Sequence, residues 1–238
     1  MKTHQAILLV LWLLAILWKG CEKENTELQP DEHLDQEVLP PDTLPVEGWI
    51  TGMISEQAYT SDSSVTTVSI NRIPHTLEKY LELRNQIAHT PQGAVVMMLV
   101  AFRVYQQFPV EGMKCLTANC TYPLLVPTTT HPGAYQGNVL ANTTELRLRL
   151  NDLSYLPFIY YKGATPANGY IPDGPPFQTE LFVNPQSYIP SSDGSLRIKL
   201  FVKTKGADSA RPVTVRKTGS YYHITEYSSL YLSPKPPH

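Results

Sequence analysis

LRIKLFVKTK, residues 196–205, alternates without a break. Leu196, Ile198, Leu200 and Val202 fall on one side, and Arg197, Lys199, Phe201, Lys203 and Lys205 on the other. Successive side chains of an extended chain point to opposite faces, so this pattern predicts a half-buried strand with a charged outer face. Downstream, residues 212–217 and 220–232 flank Thr218-Gly219, which predicts a hairpin closed by a glycine turn. Upstream, FQTELFV (residues 177–183) reads as another strand, ended by Asn184-Pro185. The last third of the chain is therefore an antiparallel meander.

Helical spacing lies ahead of it. Residues 75–88 put Leu77, Tyr80, Leu81, Arg84, Ile87 and Ala88 on one stripe, with Glu78, Lys79, Glu82 and Asn85 outside. Thr90-Pro91 is an N-cap followed by proline at the first helical position. AVVMMLVAF (residues 94–102) is apolar all round, the mark of a helix buried on most of its surface. It runs to about Gln107 and stops at Pro109; Met97 and Met98 read as core filler. VTTVSI (residues 65–70) is a short β-branched strand, and WITGMISEQAY (residues 49–59) is ambiguous. Asn142-Thr-Thr-Glu145 resembles a capping box opening a short helix with Leu146, Leu150 and Leu153 on one face, although ELRLRL also alternates. Residues 121–140 and 155–176 are turn-rich connections. Helices followed by a meander predict an α+β fold, N-terminal helices packed on a C-terminal antiparallel sheet. A sheet curled as in cystatins or nuclear transport factor 2 is the first expectation, a flat helix-on-sheet layer the second.

The chain begins with Met1-Lys2 and an apolar run, residues 6–18, shorter than the ~20 residues of a spanning helix and of signal-peptide length. Gly20-Cys21 follows. A small residue before a cysteine just past the apolar run resembles the lipobox of bacterial lipoproteins, which implies lipidation at Cys21 and cleavage after residue 20. Trp18 and Lys19 depart from that motif, and ordinary secretion or an uncleaved anchor are the alternatives. The expected location is the bacterial cell envelope, the protein being anchored to the membrane by acyl chains with the outer membrane or cell surface as its site.

Between Cys21 and Gly48 lie nine of the 21 acids against Lys23 alone, with four prolines and almost no aromatics. Such a stretch buries too little to offset its ordering entropy and reads as a disordered tether over residues 21–48. From Trp49 on, 12 acids face 16 bases, so the single domain expected over residues 49–238 carries about +4. A hydrophobic content of 42% excludes a wholly disordered chain. Cys115 and Cys120, in KCLTANCT outside the cytoplasm, are expected to form a small disulfide worth about 2 kcal/mol. The spacing fits neither a redox pair nor a zinc site.

GATPANGYIP (residues 163–172), GADSARPVTVRK (residues 206–217) and EYSSLYL (residues 226–232) resemble the motifs of an uncharacterised bacterial domain family, of the types ATPENGYTP, GADSPRP and YSSLL. TPQGAVVMMLVAF resembles that family's buried helix, and the likeness spans about residues 73–237. Ala210 and Ala167 stand where the family usually has Pro and often Glu. The resemblance implies architecture and no chemistry. Within its motifs Asn168, Tyr170, Asp208, Ser209, Glu226 and Ser228 are the positions for a pocket or a structural motif.

Asp208, Ser209, His223 and Glu226 offer an acid, a nucleophile and a base, yet the GxSxG elbow of common serine hydrolases is absent. Asp208-Ser209 suits an Asx-type turn pinned by Arg211. HxH, HExxH, paired carboxylates and phosphate-cradling glycine loops are missing too, so no metal or cofactor is expected. The bases are the stronger signal: Arg197, Lys199, Lys203, Lys205, Arg211 and Arg216 form a candidate surface for an anionic glycan or protein. A solvated face that keeps a sheet edge from aggregating is the structural alternative. Nucleic acid is not expected at so modest a charge outside the cytoplasm. The chain thus reads as a lipid-anchored binding module, with a small hydrolase or ligand enzyme, its pocket between sheet and helices, as the alternative.

Overall fold

A computed structural model describes residues 38–55, 65–191 and 193–238. The elements in chain order are β1 (Gly48–Thr51), β2 (Thr66–Ile70), α1 (Leu77–Ile87), α2 (Pro91–Gln107), α3 (Pro109–Asn119), β3 (Leu125–Pro127), β4 (Asn138–Leu140) and α4 (Thr144–Asp152). They continue with β5 (Phe177–Phe182), β6 (Tyr188–Pro190), β7 (Leu196–Val202), β8 (Arg211–Thr218) and β9 (Tyr221–Glu226). The fold is α+β. A strongly curled antiparallel sheet in the order β1-β2-β5-β7-β8-β9, with β6 also on β7, wraps the helices as a half-barrel.

The curl has an occupant. α2 contacts α1, α3 and α4 and the strands β2, β7, β8 and β9. Its residues from Ala94 to Phe102 are all at most 1% exposed, as an all-round apolar helix requires. Thr90 caps it by accepting from the Gly93 amide, and Pro91 takes the first position, both as the sequence predicts. Pro109 ends α2 but immediately opens α3, which the sequence reading missed. The close corner depends on Gly112: a Cβ there would lie 2.1 Å from the Tyr105 Cα. Glu111, on the same turn, accepts from the Leu77 amide at 2.8 Å and from Lys114 Nζ at 2.6 Å, so α3 caps the start of α1.

α3 overturns the expected disulfide. Cys115 sits inside the helix and Cys120 at its C-cap; both are free thiols and buried. A helix rises ~1.5 Å per residue, which carries positions five apart beyond the Cα separation a disulfide bridges. α4 forms as expected, but without the capping box. Asn142 adopts φ +54°, and Thr143 at the N-cap makes no side-chain capping bond.

The hairpin of β8 and β9 pairs Thr218 with Tyr221 around Gly219, at φ +63°. Val213, Val215, Tyr222 and Ile224 are at most 2% exposed against α2. The second strand is shorter than predicted. Glu226 accepts from the Ser228 amide at 2.8 Å and from its hydroxyl, turning residues 228–230 into a 3-10 helix. β7 likewise ends at Val202 and not at Lys205. Thr204 Oγ1 donates to the Ile159 carbonyl and accepts from the Gly206 amide, drawing the chain off the sheet. The outer edge of β9 is covered: the Tyr222 amide donates to the Ala88 carbonyl and the Thr121 amide to the Ile224 carbonyl.

The domain begins earlier than Trp49. Asp42 takes the His75 amide at 2.7 Å and pairs with Arg72 at 2.7 Å, Val46 is 4% exposed, and Gln86 holds the Val46 carbonyl and the Gly48 amide. The end of the acidic stretch is therefore docked on the domain and is not tether. Burial works against ionised Asp42, but the His75 amide and the Arg72 guanidinium outweigh it and hold the carboxyl below its ordinary pKa. Cys21 and the leader lie outside the described residues. Among the described residues no helix is long and apolar enough to cross a membrane.

Candidate functional site

The β7–β8–β9 register builds a row of bases on the outer face. Arg197 stands opposite Arg216, and Arg216 opposite His223; Lys199 follows on the same face opposite Thr214. Arg216 reaches Asp193 at 3.3 Å, whereas Lys199 makes no ion pair among the described residues. Arg197 Nε is buried without a hydrogen-bond partner. Beside Lys199, Phe201 stacks on Phe182 with centroids 5.4 Å apart.

Three of the expected bases leave this row. Lys203 pairs with Glu180 at 2.9 Å. Lys205 lies past the end of β7, exposed in the following loop. Arg211 pairs with Val202, an inward position, and donates to the Leu232 and Ser233 carbonyls at 3.0 and 3.2 Å. The pairing that was expected to pin Arg211 to the Asp208 turn is replaced by this grip on the chain after β9.

Residues of the first two motifs converge on that same segment. Asn168 Oδ1 accepts from the Thr165 and Ile171 amides, and its Nδ2 donates to the Gly163 and Ile171 carbonyls. Tyr170, 1% exposed, stacks on Tyr155 at 5.2 Å and donates its hydroxyl to the Lys235 carbonyl. The Lys235 amide donates to Gly206, the His238 amide to Pro166, and Lys235 Nζ pairs with Asp208 at 2.6 Å. Gly206 is required by space, since a Cβ there would lie 2.7 Å from the Ile159 side chain. The loops of the first two motifs thus clamp residues 233–238 between them.

Two clefts flank the sheet. The first, of about 390 Å³, lies between residues 159–165 and 203–210 and includes Asp208 and Ser209. Asp208 is exposed there, its carboxyl held low by the hydrogen bond and charge of Lys235. The second, of about 440 Å³, lies between α1, the end of α3, the β3–β4 turn and β9, and includes Arg84, Tyr221 and His223. Arg84 Nη2 donates to His223 Nε2 at 2.7 Å. Burial, then the Arg84 charge, lowers the His223 pKa to about 4 against the Tyr221 carbonyl, so the ring is neutral.

Asp208, His223 and Glu226 therefore do not assemble. The acid pairs with Lys235, the imidazole with Arg84 in the other cleft, and Glu226 with Ser228. Sequence reasoning missed the Arg84–His223 pair. Its signal was an arginine standing at a core position of the apolar stripe of α1. Among the described residues no group of three or more His, Cys, Asp or Glu could hold a metal.

Helices cradled in a curled antiparallel sheet, with motif loops clamping the chain's last residues, define the class of domain. The chain belongs to the family described as a domain of unknown function (DUF6935), matched over residues 72–238. No curated protein and no solved structure matches it.

Proposed function

We propose that this chain is a lipid-anchored bacterial envelope protein whose domain is a non-enzymatic binding module for an anionic partner, an acidic glycan in the first instance. The observation that carries it is the Arg197–Arg216 pair. Like charges directly opposite each other weaken a sheet, so two arginines in that position call for a compensating anion. Asp193 pairs with Arg216 of the two, and Arg197 Nε has no partner. Lys199 and the Phe182–Phe201 stack extend the patch. The anchor rests on the apolar run and on Cys21.

The test uses the full chain in a non-ionic detergent and alginate, a polyuronate, on a solid support. Wild-type protein binds and is released by salt, because exposed charges are screened within a Debye length. The variant Lys199→Glu/Arg216→Glu is not retained. Equal retention of both proteins would reduce the row to a solvated face. Incorporation of an alkyne fatty acid by the wild type, lost in Cys21→Ala, tests the anchor.

A further inference from the structure

Arg84 is 7% exposed and carries a full charge. Among the described residues its guanidinium makes one hydrogen bond, to the neutral His223, and one cation–π contact, with the Tyr221 ring, whose centroid lies 4.6 Å from the guanidinium carbon. Its Nε is buried and unbonded. A guanidinium offers five N–H donors in a rigid fork, and neither contact returns a negative charge to it. Buried charges are normally paired, because removing them from water costs several kcal/mol. The position in the last turn of α1 favours a cation through the helix dipole, but that is a far smaller effect than burial.

The lining has one sign. Around Arg84 stand Asn85, Tyr135, Gln136, Asn138 and Thr117, with no Asp or Glu among the residues of the cleft. The β3–β4 wall is built for its place: Gln136 and Gly137 both take positive φ, +49° and +75°, in the two-residue turn between Tyr135 and Asn138. A volume near 440 Å³ is in the range of small-molecule sites, which combine an apolar floor with a few convergent polar groups.

We propose that this cleft binds a small oxyanion-bearing molecule, its carboxylate or phosphate held by the Arg84 guanidinium and its polar remainder by the amides on the rim. A planar fork meets two oxygens of either group at once, which is the geometry Arg supplies and Lys does not. His223 orients the guanidinium, and Tyr221 shields it from water. The proposal does not depend on the sheet-face reading, because Arg197, Lys199 and Arg216 do not line this cleft.

The experiment is calorimetric titration of the full chain in detergent with sodium phosphate and, separately, with sodium glucuronate at constant ionic strength, glucose being the neutral control. At least one oxyanion probe binds saturably and glucose does not; the tighter probe identifies the oxyanion. Asn85→Asp changes an exposed residue, leaves Arg84 in place and sets a carboxylate on the rim, so it weakens binding about tenfold or more while the ligand-free melting temperature does not fall. Arg84→Lys keeps the charge and loses the fork, and weakens binding as well. Lys199→Glu binds like wild type, which separates failure here from failure of the sheet-face reading. Absence of saturable binding by both probes, wild-type affinity in Asn85→Asp, or loss of binding in Lys199→Glu would each overturn the proposal.

Discussion

Arg84 donates to His223 Nε2 across 2.7 Å, which fixes that nitrogen as an acceptor and the imidazole as neutral. The folded-state pKa is about 4, against 6.5 for an unperturbed histidine. Between those values the unfolded chain binds a proton that the folded chain refuses. The stabilisation is therefore complete above about pH 6.5 and is lost as pH falls toward 4. Arg84 from α1 and Arg216 from β8 are the charges acting on the ring. Melting temperatures taken from about pH 7.5 down to about pH 4.5 should fall. His223→Gln keeps an acceptor without titrating and should fall less. Asp42, lowered in the folded state, adds an acid sensitivity common to both proteins. Equal slopes would remove His223 from the account.

The two domain cysteines should be silent to thiol reagents until the protein unfolds. Burial raises the pKa of both, and the nearby Glu111 charge adds to it at Cys115. Native protein should give no reaction at Cys115 or Cys120, and denatured protein should give both without prior reduction. A requirement for reductant would restore the disulfide.

Tyr222 and Ile224 are 2% and 0% exposed and close the hairpin over α2. Truncating either to Ala removes apolar contact and leaves a cavity, at a cost of about 2–5 kcal/mol. Chemical denaturation should show the unfolding free energy moving by that amount. Lys199→Glu, on the opposite face, should move it by less than about 1 kcal/mol.

The sheet was legible because LRIKLFV carries its period in its letters, and α2 because nine consecutive apolar residues can only be buried all round. α3 was not. Pro109 breaks one helix and is equally suited to the first turn of the next, and local sequence does not separate the two roles. The disulfide was inferred from compartment and spacing, and the helix running between the cysteines removed it. Of the basic positions, Arg197, Lys199 and Arg216 follow from strand period. Lys205 and Arg211 depend on where the strands end, and hydrogen bonds from Thr204 and to Leu232 decide that. The oxyanion cleft joins α1 to β9 across 139 positions, a proximity that no local pattern encodes.

The loops at residues 163–172 and 206–211 clamp residues 233–238, and three substitutions test that clamp. Asn168 makes four side-chain hydrogen bonds that hold the loop carrying Tyr170, and through it the Lys235 carbonyl. Each such bond contributes about 0.5–1.5 kcal/mol net, and the loop is exposed, so Asn168→Ala should cost about 1–3 kcal/mol. Gly206→Ala forces a methyl group onto Ile159 and should cost a similar amount. Both should speed proteolysis after Leu232, because the chain there loses its partners. Asp208→Asn removes only an ion pair whose acid is 92% exposed, and should leave stability and proteolysis unchanged. Limited proteolysis of the three variants, read by mass at the chain's end, tests the clamp. If Asn168→Ala is as resistant as wild type, the clamp is not what holds this segment in place.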